Sequence, residues 1–228
     1  MKNKKNISVI ILAKNEEKSI GKVILGAKPY ADELLVIDGH SKDKTRQIAR
    51  KMGVKVFLDH GLGKGEAVRL GIKKAQKEIL VFIDADGSHD PKDIPKLARP
   101  ILEGKADHVT GSRMLGGSDE LHGTWNKFLR ETGSHLIILG INWRFGTQLT
   151  DGQNGFRAIR RKVAQKLNLK EDITTIEQEM IIKTLKSGFR MAEVPTHEYR
   201  RQNGESSIIL RKVWWRYVYT WLKYLFFD

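Results

Sequence analysis

The feature that most constrains this chain is a repeated change of texture. An unbroken apolar run stops at a small polar cluster, and a stretch with helical spacing follows. Ile7–Ala13 (ISVIILA) leads into Lys14-Asn15-Glu16, and 34–37 (LLVI) into Asp38-Gly39-His40-Ser41. Residues 79–83 (ILVFI) end at Asp84-Ala85-Asp86, and a weaker run at 106–111 is followed by Ser112-Arg113. A further run occupies 54–58. Continuous apolar runs suit strands covered on both faces. Segments 17–27, 43–52, 65–75 and 91–102 carry helical spacing, and Gly53 stands where a C-terminal helix cap belongs. The alternation predicts an α/β sandwich around a mostly parallel sheet. Such sheets bind ligands outside the carboxyl ends of their strands. The four polar clusters are therefore expected to meet along one edge.

Asp84 and Asp86 sharpen that expectation. Residues two apart on an extended segment face the same way, so the pair can hold one hard cation, Mg²⁺ or Mn²⁺. The other reading of DADG is a cap and turn before the next helix. The 228 residues, with no linker-like stretch and no repeat, suit one compact domain with a C-terminal appendage. The absence of cysteine excludes disulfides, thiolate metal sites and cysteine nucleophiles. The histidines form no metal-spaced cluster. A net charge of +14 suits nucleic acid, anionic lipid or phosphorylated substrates alike. The first apolar run breaks at Lys14-Asn15, which favours a strand over a secretory signal. No stretch approaches the ~20 apolar residues of a membrane span.

Several motifs add context: VIILAKNEE, VIDGHSKDKT, GLGKGEAVRLGI at 61–72 and DADGSHDPKDIPKL at 84–97. VTGSR at 109–113, DGQNGFRAIRR at 151–161 and VPTHEYRRQNGESS at 194–207 follow in order. Across roughly residues 7–207 they resemble the family 2 glycosyltransferases of the GT-A (Rossmann-like) fold. The resemblance is to the branch that makes dolichyl- or polyprenyl-phosphate sugars, including archaeal enzymes that feed protein N-glycosylation. It implies an inverting, metal-dependent transfer of one sugar from a UDP- or GDP-sugar to a lipid phosphate. In that picture Ala13 and Glu16 line the nucleotide, Asp38 accepts hydrogen bonds from the base, and Asp84 lies near ribose and metal. Asp86 ligates the metal on the diphosphate, while Lys64 and Arg69 neutralise phosphates, although Lys64 also reads as a surface lysine. Arg113 and Arg130, with Ser134 one helical turn on, match the branch's grip on the acceptor phosphate, with Arg200 and Arg201 on a later loop. Asp151 orients sugar or acceptor, or begins a turn, and Asn154, Gly155 and Phe156 shape the sugar pocket.

The chain departs from the family pattern at three places. DGHS replaces the frequent DDGS, Ser88 stands where mannosyl relatives carry glutamine, and YRRQNGESS replaces YRPRxGESK. The DGHS variant resembles archaeal enzymes and tilts the donor towards UDP-N-acetylglucosamine or another UDP-hexose, with GDP-mannose next. An alcohol acceptor would need a general base. A phosphate monoester is already largely ionised at neutral pH and needs cations, for which arginine's planar fork is suited.

The last segment, 208–228, is expected to form an amphipathic helix appended to the catalytic domain at 1–207. Leu210, Val213, Trp214, Tyr217, Val218, Trp221, Leu222 and Leu225 form one apolar stripe bordered by arginine and lysine. That composition fits the membrane interface, and equally a helix packed on its own domain or on a partner chain. The segment 124–146, around Arg130 and Ser134, is a second candidate for membrane contact. The expectation is a peripheral protein on the cytoplasmic membrane face. A polysaccharide-extending glycosyltransferase would share the donor site but need a carboxylate base. A nucleic-acid-binding module would explain the charge but not carboxylates at the strand ends, so no nucleic-acid partner is expected.

Overall fold

The computed structural model describes residues 6–119, 125–201 and 210–227, with the side chains of 125–130 and 210–213 outside that description. The expected boundary at 207/208 falls outside the described residues. Seven strands form one sheet: β1 Ile7–Ala13, β2 Glu33–Asp38, β3 Lys55–Leu58, β4 Ile79–Asp84, β5 His108–Ser112, β6 Arg157–Arg160 and β7 Met191–Pro195. Their order is β3-β2-β1-β4-β6-β5-β7. β1 to β4 are mutually parallel, β6 runs antiparallel to both its neighbours, and β7 is parallel to β5.

The nine helices described are α1 Ile20–Ala27, α2 Thr45–Lys51, α3 Lys64–Lys74, α4 Ile94–Leu102, α5 Arg113–Gly116, α6 Trp125–Phe145, α7 Arg161–Lys166, α8 Ile176–Lys186 and α9 Leu210–Leu222. Alternate residues of the central strands enter opposite layers, as a period of two requires. Val9, Ile11, Val81 and Ile83 pack with Ile24 of α1 and Leu97 of α4. Ile10, Leu12, Leu80 and Phe82 pack with Val68 of α3 and Met180 of α8. Gly53 takes φ +75° after α2, as the cap reading requires.

A third apolar cluster joins α6, α8 and the C-terminal segment through Ile138, Ile141, Ile181, Tyr217, Tyr224 and Leu225. A Cβ on Gly140 of α6 would lie 2.2 Å from the Trp221 ring, so only glycine lets the two helices approach this closely. The stripe expected on α9 is thereby divided. Tyr217 is buried and Trp221 partly buried against the domain, whereas Trp214, Val218 and Leu222 are exposed with Trp215 and Tyr219. The segment is apolar around most of its circumference, so one apolar side docks and another remains outside. Among the described residues, no helix is long and apolar enough to cross a membrane.

Candidate active site

The ends of β1, β2 and β4 meet as the alternation predicts. Asn15 and His40 adopt φ +57° and +60° just beyond β1 and β2, which turns the chain sharply at both strand ends. The two turns are sewn together: Asn15 N donates to Ser41 Oγ (2.9 Å), Lys42 N to Asn15 Oδ1 (2.8 Å), and Glu16 N to Thr45 Oγ1 (2.8 Å). Asp38 is fully buried and accepts from Ser41 N (2.9 Å) and Ser41 Oγ (2.6 Å). Its carboxylate is therefore engaged by its own turn before any base arrives. Glu16 accepts from Ser19 Oγ at 2.8 Å. Burial pushes its carboxyl above the usual range against that hydrogen bond, and the nearby Asp86 and Asp84 charges push the same way.

Asp84 ends β4, and each of the two expected metal ligands faces a cation. Lys64 Nζ donates to Asp84 Oδ2 at 2.8 Å, and Arg201 Nε lies 3.4 Å from Asp86 Oδ2. Asp86 Oδ1 accepts from Ser88 N (3.0 Å) and Ser88 Oγ (2.7 Å), so Ser88 braces the aspartate. Burial would raise Asp84, but Lys64 outweighs it and holds the carboxyl below its ordinary range. Among the described residues, no group of three or more His, Cys, Asp or Glu side chains gathers for a metal. Two carboxylates with the rest of the shell left to phosphate and water is the arrangement Mg²⁺ and Mn²⁺ accept. The donor set fits a divalent ion there, in competition with the cations now seated on the two aspartates.

Arg69 does not join this cluster. It donates to the Glu171 carbonyl and pairs with Asp172 Oδ1 at 2.5 Å. Five residues along α3 turn it about 140° away from Lys64, which is why the shared motif misplaces it. Lys64 also pairs with Glu177 Oε1 at 3.0 Å, from the first turn of α8. Burial would lower Lys64, but Asp84 and Glu177 more than offset it and keep the ammonium charged. Gly155 closes over the pair: a Cβ there would stand 2.6 Å from Lys64 Nζ and 3.0 Å from Asp84 Oδ2. Asn154 Oδ1 braces the turn by accepting from Phe156 N (2.9 Å), and Phe156 belongs to the core.

A second cluster lies beside the first. Arg113 forks onto Asp151, Nε to Oδ2 at 2.6 Å and Nη2 to Oδ1 at 2.9 Å, and its Nη1 reaches Glu198 at 3.4 Å. All three side chains are buried. Burial would raise Asp151, but the Arg113 guanidinium holds its carboxyl below the usual range. Arg113, Asp151, Gln153 and Thr150 line a small cavity closed by Ser134, His135 and Glu131 of α6. The expected partners Arg113 and Ser134 thus share a wall, although two carboxylates already more than offset the arginine's charge. Arg130 lies on α6 one turn before Ser134, but its side chain is outside the described ones. Arg200 is exposed and meets Asp119 through its backbone N–H (3.3 Å), so of the late-loop pair it is Arg201 that meets the aspartates.

Sequence reading missed His89, Arg157, Glu177 and Glu198. His89 stacks on Phe156 at 5.1 Å between ring centroids, and its Nδ1 is buried without a partner among the described residues. Burial lowers its pKa, against the charges of Asp84, Glu198 and Asp86, so the imidazole between the two clusters is neutral at pH 7. Arg157 is buried and donates to the Asn154 carbonyl and to the Glu177 carbonyl (3.1 Å). It clamps the pocket turn to α8. Its place immediately after Asn154-Gly155-Phe156 was the available signal for it.

Residues 8–167 match the family described as glycosyl transferase family 2. The glycosyltransferase AglJ of Haloferax volcanii is 33% identical over 198 residues, covering 85% of this chain and 63% of that protein. The UDP-N-acetylglucosamine–dolichyl-phosphate N-acetylglucosaminyltransferase of Methanococcus voltae is 28% identical, covering 93% and 94%. In fold, the chain is similar to glucosyl-3-phosphoglycerate synthase of Mycobacterium tuberculosis, solved with Mn²⁺, UDP-glucose and phosphoglyceric acid. The TM-score is 0.79 at 24% identity, over 96% of this chain and 79% of the other.

Proposed function

The chain belongs to glycosyl transferase family 2, and on that premise we propose that it transfers one sugar from a nucleotide donor to dolichyl or polyprenyl phosphate at a membrane surface. The favoured donor is UDP-N-acetylglucosamine or another UDP-hexose, with GDP-mannose next. The observation that carries this reading is the Asp84–Asp86 pair at the end of β4, each aspartate facing a cation, with the Arg113 cavity beside it. Support for a UDP donor comes from the Methanococcus voltae relative and from the nucleotide held by the mycobacterial synthase.

Asp84 and Asp86 would hold Mg²⁺ or Mn²⁺ against the donor diphosphate. The bound ion supplies Lewis-acid stabilisation of the leaving group. Lys64 and Arg201, beside the same aspartates, add charge for the phosphates. An acceptor phosphate oxygen attacks the anomeric carbon from the face opposite the diphosphate. The new C–O bond forms as the sugar–diphosphate bond breaks, and the nucleoside diphosphate leaves with that electron pair. No proton has to be removed from an ionised phosphate. Asp151, held by the Arg113 fork and depressed in pKa, makes a poor general base. That supports a phosphate acceptor over the hydroxyl acceptor of a polysaccharide-extending enzyme.

The membrane reading is supported by the exposed faces of α6 and α9, which the Gly140–Trp221 contact brings together. Leu136, Leu139 and Trp143 are exposed on α6, and Trp214, Trp215 and Tyr219 on α9. Ser134 lies on the same α6, so an acceptor headgroup could reach the Arg113 cavity while its chains stay in the bilayer. Thermal shift with Mn²⁺ tests the donor half. UDP or GDP should raise the melting temperature more than DNA or RNA does, and the reverse order would contradict the reading.

A further inference from the structure

Lys64 has two carboxylate partners, and they are not equivalent. Asp84 Oδ2 lies 2.8 Å away with its side chain 25% exposed, whereas Glu177 Oε1 lies 3.0 Å away with its side chain 5% exposed. Asp84 is thus the partner on the open, substrate side, and Glu177 lies behind the ammonium. Gly155 closes off another direction, because its backbone already approaches Nζ. The backbone of Glu177 is itself held, since its main-chain carbonyl accepts from the buried Arg157 at 3.1 Å. Resting on the nucleotide-sugar reading above, a divalent ion on Asp84 competes with the ammonium for that carboxylate. A buried ammonium left without a counter-charge beside a divalent ion would be strongly unfavourable.

We propose that Glu177 is a positioning residue: it retains Lys64 in the site when Asp84 turns to the divalent ion, and so aims the ammonium at the donor diphosphate. Lys64 is then a cation that occupies Asp84 in the free enzyme and is handed to Glu177 on donor binding. Glu177 touches no reacting atom in this scheme. The effect proposed here passes through Lys64, which sets it apart from the support of a residue that merely holds the fold.

The test is calorimetric titration of Mn²⁺ and UDP into the full chain, with melting temperature as a check on folding. Glu177→Gln should weaken Mn²⁺–UDP binding about tenfold, within the range for directly interacting residues. Glu177→Asp, one methylene shorter but still charged, should recover part of the loss. Lys64→Gln should tighten Mn²⁺ binding without nucleotide, because the competing cation is gone. In the Lys64→Gln background, Glu177→Gln should have no further effect on Mn²⁺–UDP binding. Equal losses in both backgrounds, or a folded Glu177→Gln protein that binds Mn²⁺–UDP normally, would overturn the inference. If the wild type itself binds no Mn²⁺–UDP, the nucleotide-sugar reading fails with it.

Discussion

Replacing Arg113 with methionine should remove a large part of the protein's stability. The fork onto Asp151 is short on both arms, 2.6 and 2.9 Å, and the side chains of arginine and aspartate are 9% and 1% exposed. Among the described residues, methionine leaves Asp151 with the backbone N–H groups of Arg113 (3.2 Å) and Gln153 (3.1 Å), and leaves Glu198 with a neutral neighbour. Breaking one side of a buried pair costs about 3–5 kcal/mol. For a chain of this length that lowers the melting temperature by roughly 6–20 °C. Adding Asp151→Asn should recover part of the loss, because the stranded charge goes with it. Lysine should be intermediate, since it supplies a point charge without the fork. Scanning calorimetry of the three variants beside the wild type decides the matter. A methionine variant melting within about 2 °C of the wild type would show that the trio is not the electrostatic unit its geometry describes.

Asp151 also sets a pH dependence. Its folded pKa is depressed below the ordinary aspartate range by the Arg113 guanidinium, so its stabilisation is present above that range and fades as pH falls through the folded pKa. Urea unfolding between pH 2 and 6 should therefore show a shallower acid slope for Asp151→Asn than for the wild type, and equal slopes would contradict the assignment. Gly155→Ala puts a methyl 2.6 Å from Lys64 Nζ and should cost about 1–3 kcal/mol of stability, with weaker UDP binding in calorimetry. On the C-terminal helix, Tyr217→Ala should destabilise by about 3–5 kcal/mol. Trp214→Ser with Tyr219→Ser should leave melting unchanged and reduce sedimentation with anionic vesicles; the opposite pattern would make the outer face structural.

Much of the fold follows from local pattern. The five anticipated strands form within a few residues of their expected limits, because each is an apolar run with a polar stop. β6 (RAIR) and β7 (MAEVP) escaped notice because they are short and interrupted by charge. They become strands through their neighbours, β6 between β4 and β5 and β7 along β5. α1 begins at Ile20 rather than 17 because the preceding residues form a turn in which Ser19 N–H donates to the Glu16 carbonyl.

At the site, residues immediately after strands were legible, since the sheet edge brings Asp38, Asp84 and Arg113 to one side. Partners supplied across long sequence separations were not. Glu177 follows Lys64 by more than a hundred residues, and Glu198 reaches Arg113 from beyond β7. Nothing local distinguishes either from a surface glutamate. The C-terminal stripe was read as a single face because periodicity records which positions are apolar, not what covers them. Here Tyr217 and Trp221 turn towards α6 and α8, while Trp214 and Val218 do not.

The most direct test of the central claim is transfer itself. Purified protein with dolichyl phosphate, Mn²⁺ and a panel of labelled nucleotide sugars should yield an organic-extractable product, UDP-N-acetylglucosamine being the donor expected first. The signal should vanish in excess chelator and fall by several orders of magnitude in a folded Asp86→Asn protein, as the loss of Lewis-acid assistance requires. Transfer undiminished by chelator would contradict the account, as would label passing to a free sugar or polysaccharide but never to the lipid phosphate.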